Sequence, residues 1–329
     1  MFAAPRSLSK KIFSGIAGAL LLAASQAVSA AWPEKPVTLI VPYPAGGGAD
    51  TIGRLVSERL SDRLGQPVIV RNVPGAGTLV GARALLQAEA DGYTLMLAPN
   101  NQLTMLPHLN ENVDFSPNDD FAFITQVASI FYFVAVPADS PLQSLTQLID
   151  QAKKEPGALN YSSCGPGSGC NVAGEYFKSL TGTDILHVPY AGSAAAVTAI
   201  LGKQVDVAFD TAAALTSQIQ AGKIRALAIA EPERWSVVPE VPTAVEQGVD
   251  EFLFANWQGL VAPAGTPEAV IERVNATWRE ISEAPETAEA FSARGLGLRY
   301  STPEKFAADV REDLVKWGEV IQDAGIQIQ

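Results

Sequence analysis

Val37-Thr-Leu-Ile-Val41 runs straight into Pro42-Tyr-Pro-Ala-Gly-Gly-Gly-Ala-Asp50, and Ile52, Leu55, Val56, Leu60 and Leu64 then recur at helical spacing. The first run is continuously apolar and rich in β-branched residues, as a strand buried on both faces must be. The middle run is a Gly-rich turn and the last is an amphipathic helix. A strand–turn–helix unit of this kind belongs to an α/β fold. The same grammar recurs outward along the chain. Val68-Ile-Val70 leads through Asn72-Val-Pro-Gly-Ala-Gly77 into a helix carrying Val80, Ala84 and Leu85, and a third strand runs from Tyr93 to Ala98. Strands are expected again at 185–188, 205–209 and 224–229, with helical stretches between them. The rhythm predicts mainly parallel sheets covered by helices.

Two longer extended segments, Phe121 to Pro137 and Phe252 to Pro263, bracket the middle third. They read as crossovers between a discontinuous first lobe (32–128 plus 255–329) and an inserted second lobe (129–254). Thr266-Pro267 and Thr302-Pro303 each read as an N-cap followed by proline at the first helical position. Phe306, Val310, Leu314, Trp317 and Ile321 mark the apolar face of the last helix.

The first 31 residues stand apart. Arg6, Lys10 and Lys11 precede an apolar run from Ile12 to Ala24 and the small-residue stretch Ala27-Val-Ser-Ala-Ala31, the three-part layout of a signal peptide cleaved near Ala30 or Ala31. Its loss takes three positive charges from a formal net of −12, leaving −15. So acidic a chain, with no basic stripe, is not a nucleic-acid binder, and it repels anions at long range, so any anion must be held by local groups. The two cysteines, Cys164 and Cys170, lie in a Gly-rich loop. After export they can close a disulfide, worth about 2 kcal/mol in the chain-entropy model for so short a loop, or stand as paired thiols. Their spacing fits no zinc finger, and no metal or cofactor is expected.

In open α/β sheets ligands sit beyond the carboxyl ends of strands. The helix that follows each turn offers unpaired N–H groups and partial positive charge, enough to hold an anion without Lys or Arg. The candidate ligand-binding residues on these turns are Tyr43, Ala45, Gly46, Gly47 and Asp50; Gly75, Ala76 and Gly77; and Asn100 at the end of the third strand. Later in the chain they are Ser163, Gly167, Ser168 and Asn171, then Tyr190, Ala191 and Gly192, and finally Asp210. Asp50 and Asp210 also read as helix caps. Gly75-Ala-Gly-Thr-Leu-Val-Gly81 approaches a dinucleotide fingerprint but misses its last spacing by one, and Asp91 precedes a strand where the fingerprint wants it at a strand's end. Catalysis finds no support: there is no nucleophile elbow, and neither His108 nor His187 has a partner visible in the sequence. Phe131, Tyr132, Phe133 and Trp257 could wall an aromatic acid, but buried extended aromatics more simply pack.

These turns in this order resemble the tripartite tricarboxylate transporter receptors, the Bug family. The matching stretches are Trp32-Pro-Glu-Lys-Pro-Val37, Val41 to Asp50, Asn72 to Gly77 and Asp91-Gly-Tyr-Thr-Leu95, then Val188-Pro-Tyr-Ala-Gly192, Leu201-Gly-Lys-Gln-Val-Asp206 and Gly222-Lys-Ile-Arg-Ala-Leu227. Pro239-Glu-Val-Pro-Thr243 and Trp257 to Pro267 complete the set. The resemblance implies a type II periplasmic binding protein, not an enzyme. Such a protein has two lobes with a ligand cleft between them. It would bind a small carboxylate (a di- or tricarboxylate, an acidic amino acid or an aromatic acid) through backbone groups and waters near the first two Gly-rich loops. It would act as a monomer that delivers the ligand to the permease subunits of a tripartite transporter; a sensor passing its closed form to a signalling partner would look the same. One departure stands out: Asn171 occupies a position where the family often has His.

Overall fold

The computed structural model describes Met1 and residues 32–165, 168–254 and 256–323, so the expected signal peptide lies, but for Met1, outside the described residues. The chain divides into Met1–Glu34 and Lys35–Gln329, and both sheets belong to the second of these units.

Eleven strands form two sheets among the described residues. The first has the order β11-β4-β10-β3-β1-β2, with β1 (Val37–Val41), β2 (Val68–Asn72), β3 (Thr94–Pro99), β4 (Phe121–Ile130), β10 (Asn256–Pro263) and β11 (Leu296–Leu298). The second has the order β7-β6-β8-β5-β9, with β5 (Tyr132–Pro137), β6 (Asn160–Ser163), β7 (Leu186–Pro189), β8 (Val207–Thr211) and β9 (Ile224–Ile229). The expectation of mainly parallel sheets is corrected: both are mixed. β1 runs parallel to β2 and β3, and β6 to β7 and β8. The crossover segments enter each sheet against that direction. β10 is antiparallel to β3 and β4, and β5 is antiparallel to β8 and β9. A strand that leaves one sheet to begin the next arrives without a βα crossover, so nothing forces it parallel.

The chain changes sheet at Phe131, since Ile130 still pairs with Asn256 and Leu296 in the first sheet while Tyr132 pairs with Thr211 in the second. The sequence reading sets the lobe edge after residue 128. The parallel strands feed helices as their pattern predicts. β1 leads to α1 (Gly48–Leu64), whose Ile52, Leu55, Val56, Leu60 and Leu64 are buried and which stops at Gly65 in the left-handed region, φ 71°. β2 leads to α2 (Leu79–Leu86), with α3 (Leu106–Leu109) and α4 (Leu145–Lys154) following in the chain. In the second sheet β6 leads to α5 (Gly169–Thr181), β7 to α6 (Ser193–Leu201) and β8 to α7 (Ala212–Gln220). The start of each of these helices therefore lies at the carboxyl edge of a sheet.

After β10 the described residues hold three helices: α8 (Glu268–Ser282), α9 (Pro285–Ser292) and α10 (Pro303–Asp323). The capping expectation holds at Thr302, whose hydroxyl accepts from Lys305 N at 3.2 Å. At Thr266 it does not: that hydroxyl donates back to Pro263 O at 2.8 Å, and the helix starts one residue later than expected. α10 crosses the lobe division drawn from sequence. Phe306 and Val310 pack in the first-sheet core, whereas Trp317 and Ile321 pack with Tyr132, Val134, Tyr176 and Phe177 around the second, and Leu314 is half-buried.

Candidate functional site

The loop after β1 is held in shape by Asp50. Its Oδ2 accepts from Gly46 N and from Arg54 Nε, both at 2.9 Å, and its Oδ1 accepts from Asn72 Nδ2 at 3.0 Å. Gly46 can turn its N–H inward because it sits at φ 87°, a conformation that side chains resist. The hydrogen bond from Arg54 leads in pulling the Asp50 carboxyl down to about 2. Asp50 is thus an ionised brace beneath the loop, with both oxygens occupied.

On the other side of the loop lies a cavity of ≈ 1190 Å³, which Asp50 does not line. Tyr43, Ala45, Gly46 and Gly47, with Gly48 and Ala49 at the start of α1, form one wall of it. The opposite wall is the start of three helices of the second lobe: Ser168 and Gly169 before and on α5, Ser193 and Ala194 on α6, Thr211 and Ala213 at α7. The floor is polar and neutral. The Tyr43 hydroxyl donates to Asn101 Oδ1 at 3.1 Å, the Tyr132 hydroxyl pairs with the Asn256 side chain, and Gln258 Nε2 lies 3.5 Å from Asn256 Oδ1. Burial pushes the Tyr43 phenol up to about 12 and raises Tyr132 as well, so both stay protonated donors near neutrality. Gln258 Oε1 is buried with no partner among the described residues. None of the described side chains lining the cavity is charged. Four helix N-termini converge on it instead, which supplies partial positive charge and backbone donors in a site free of ammonium and guanidinium groups.

Of the candidate residues read from sequence, Tyr43, Ala45, Gly46, Gly47 and Ser168 line this cavity. The others fall elsewhere. Gly75, Ala76 and Gly77 are exposed in a tight turn with positive φ at all three and are not among the cavity's lining residues. Asn100 is buried: its Nδ2 donates to Asp313 Oδ2 at 2.9 Å and its Oδ1 accepts from Thr104 Oγ1 at 2.8 Å. Its neighbour Asn101 faces the cavity in its place. Tyr190, Ala191 and Gly192 lead into α6, but Ser193 is the first of that segment to reach the cavity wall. Asp210 is 1% exposed beneath the wall, its Oδ1 accepting from Ser193 Oγ and Thr211 N, each at 2.7 Å. Burial raises its carboxyl. Gly167 lies outside the described residues. Among the weighed aromatics, Tyr132 does line the cavity, while Phe131 packs on Trp235, Phe133 is fully buried and Trp257 donates to Asp313 at 2.7 Å.

The fold makes one pair that the sequence did not announce. Ser163 Oγ lies 2.6 Å from His187 Nε2, and Asn171 Nδ2 lies 3.5 Å from His187 Nδ1. Ser163 Oγ also accepts from Gly165 N at 3.2 Å and donates to Gly165 O at 3.3 Å, so its hydrogen bonds are shared between the imidazole and the backbone of its own turn. Ser163 is also fully buried and outside the cavity wall. The trio, with Tyr161 accepting from Asn171 at 3.0 Å and donating to Glu175 at 2.6 Å, braces the start of α5.

Cys164 and Cys170 are bridged, with Cα atoms 5.7 Å apart, and the bridge clamps the turn that carries Ser168 and Gly169. There is no room for that turn to sink inward, because a methyl group on Gly169 would collide with the Tyr132 hydroxyl. Reduction with dithiothreitol is therefore expected to weaken ligand binding about three- to tenfold while the protein stays folded, since loss of this crosslink costs only about 2 kcal/mol. Calorimetric titration before and after reduction checks this, and an unchanged affinity would confine the bridge to stability.

The model of the tripartite tricarboxylate transporter family receptor matches residues 52–326. A Rhodopseudomonas palustris protein solved with adipate is 29% identical, covers 90% of this chain and 99% of its own, and superposes with a TM-score of 0.78. The periplasmic binding protein BugD is 30% identical, with 91% and 100% covered and a TM-score of 0.74. MatC of Rhodopseudomonas palustris, solved with bound malate, is 28% identical, with 88% and 100% covered and a TM-score of 0.73.

Proposed function

The chain belongs to the tripartite tricarboxylate transporter receptor family, and on that premise we propose that it captures a small carboxylate in the cavity between its two lobes and passes it to the permease subunits of a tripartite transporter. Members of this family are periplasmic binding proteins, and the type II fold is theirs. Export of this chain accords with its charged, apolar and small-residue N-terminal pattern. The observation that carries the ligand class is the cavity wall itself, built from helix starts and a Gly-rich loop and without a charged side chain. Such a wall favours an anion over its neutral amide through oriented N–H groups alone. The neighbours solved with adipate and malate agree with that chemistry.

The direct experiment is a thermal-shift screen of the mature protein against small carboxylates, each paired with its amide. A ligand at a hundred times its dissociation constant adds about 2.7 kcal/mol of stability. The expected result is a shift with an acid and none with its amide; equal shifts would sink the anion reading. Ala45→Asp should abolish the acid's shift, because Ala45 is exposed on the cavity loop and a fixed carboxylate there repels the ligand's own. The unliganded melting temperature should stay where it was.

A further inference from the structure

We propose that this cleft selects a monocarboxylate with an apolar body over di- and tricarboxylates of similar size. The inference rests on the carboxylate reading above and goes on to name the rest of the ligand. The cavity is chemically two-sided. Tyr43, Asn101, Asn256 and Gln258 gather at the end where the Gly-rich loop starts α1. The α6 and α7 side is mainly apolar, with Val197, Leu201, Ala213 and Ala214 around the polar Thr198 and Gln218, while Ile130, paired with Asn256, and Leu296 add apolar surface from the first sheet. Leu201 is 37% exposed, an apolar side chain left in the open on the wall of a cleft. The alanines leave space between the two helices for a ring or an alkyl chain.

A second carboxylate would meet no cation among the described side chains of that half, only the Gln218 amide, the Thr198 hydroxyl and the backbone at the start of α6 and α7. Two of the donors at the start of α7 are already taken, Thr211 N by Asp210 Oδ1 at 2.7 Å and Ala212 N by Phe131 O at 2.8 Å. The Ser193 hydroxyl, at the start of α6, also gives its proton to Asp210. A carboxylate leaving water for a mainly apolar wall with few compensating donors is disfavoured, whereas methylenes or a ring gain by the same move. At the Gly-rich loop Asp50 takes the Gly46 N–H, and the N–H groups of Gly48 and Ala49 at the start of α1 are left to face the cavity.

Hexanoate and adipate share a six-carbon chain and differ by one carboxylate, so they isolate the claim, and hexanamide tests the reading beneath it. Calorimetric titration of the mature protein with all three should give hexanoate binding at least about tenfold tighter than adipate, and hexanamide no measurable binding. Citrate should not bind. Leu201→Arg, at an exposed position that folding tolerates, should reverse the order by giving adipate's second carboxylate a partner. Adipate binding as tightly as hexanoate or tighter in the unaltered protein overturns the inference and leaves the carboxylate reading standing. Hexanamide binding as tightly as hexanoate overturns both. A Leu201→Arg protein that still prefers hexanoate shows that α6 does not face the ligand, and overturns the assignment of the apolar half.

Discussion

Trp317→Ala is expected to destabilise the protein by about 3–5 kcal/mol, the range for removing a buried indole. Trp317 is 2% exposed near the end of α10. Its ring meets Tyr176 edge-on at 5.3 Å and Phe254 at 5.2 Å, within the core that covers the second sheet. Three turns earlier on the same helix, Phe306 meets Trp257 at 5.0 Å and Phe123 at 5.2 Å in the core of the first sheet. α10 is therefore a third link between the lobes beside the two strand crossovers, and Trp317 is its anchor. The indole N–H has no partner among the described residues, so its removal forfeits packing and no hydrogen bond. Trp317→Phe should accordingly recover much of the loss. Urea unfolding of the three proteins checks this. A cost below about 1 kcal/mol for the alanine variant would mean that the end of α10 is not part of the cooperative core.

Much of this architecture was legible in the sequence, and the reason is local. β1 and β9 lie where their apolar runs predict, and the helical face Ile52 to Leu64 is the buried face of α1. A buried strand and an amphipathic helix each advertise themselves within a dozen residues. What depends on long-range partners was harder to read. Whether Asn100 or Asn101 faces the cavity is decided by how the chain turns after β3 and by Asp313, 213 residues away from Asn100, which claims the first of them. The crossover strands read as extended, but their side chains Tyr132, Asn256 and Gln258 reach the cavity only because β10 lies between β4 and β3 and β5 between β8 and β9. Ser163 and His187 meet across paired strands, Tyr161 standing opposite His187 in that register. Asp50 reads equally as a cap or as a ligand group until Arg54, Asn72 and Gly46 are seen to use both its oxygens. Each failure concerns which way a side chain points, a property of the assembled sheets.

The lobes are also joined by a buried acid, and its titration should be visible. Glu231 follows β9 and is 5% exposed, while Arg299 follows β11 of the other sheet. Arg299 Nη2 lies 3.3 Å from Glu231 Oε2, its Nε donates to Ser129 Oγ at 3.1 Å, and Glu231 Oε1 is buried without a partner among the described residues. Desolvation outweighs the guanidinium and pushes Glu231 from 4.5 up to about 7. The folded protein thus holds this proton more tightly than the unfolded chain does. By linkage its contribution is fully present below pH 4.5 and is lost as pH rises through about 7, a loss of about 3 kcal/mol at 1.36 kcal/mol per pH unit. Glu231→Gln carries the neutral form permanently, so it should match the parent near pH 4 and exceed it in stability by up to about 3 kcal/mol at pH 8. Denaturation curves for both proteins across that range give the difference directly, and other groups that titrate in the window cancel in it. A difference that stays flat with pH would mean that Glu231 is already ionised throughout, with Arg299 repaying its burial in full. A difference that grows as predicted would make the junction between the lobes strained at neutral pH, where a pair that both lobes must hold together is the one that folding least wants charged.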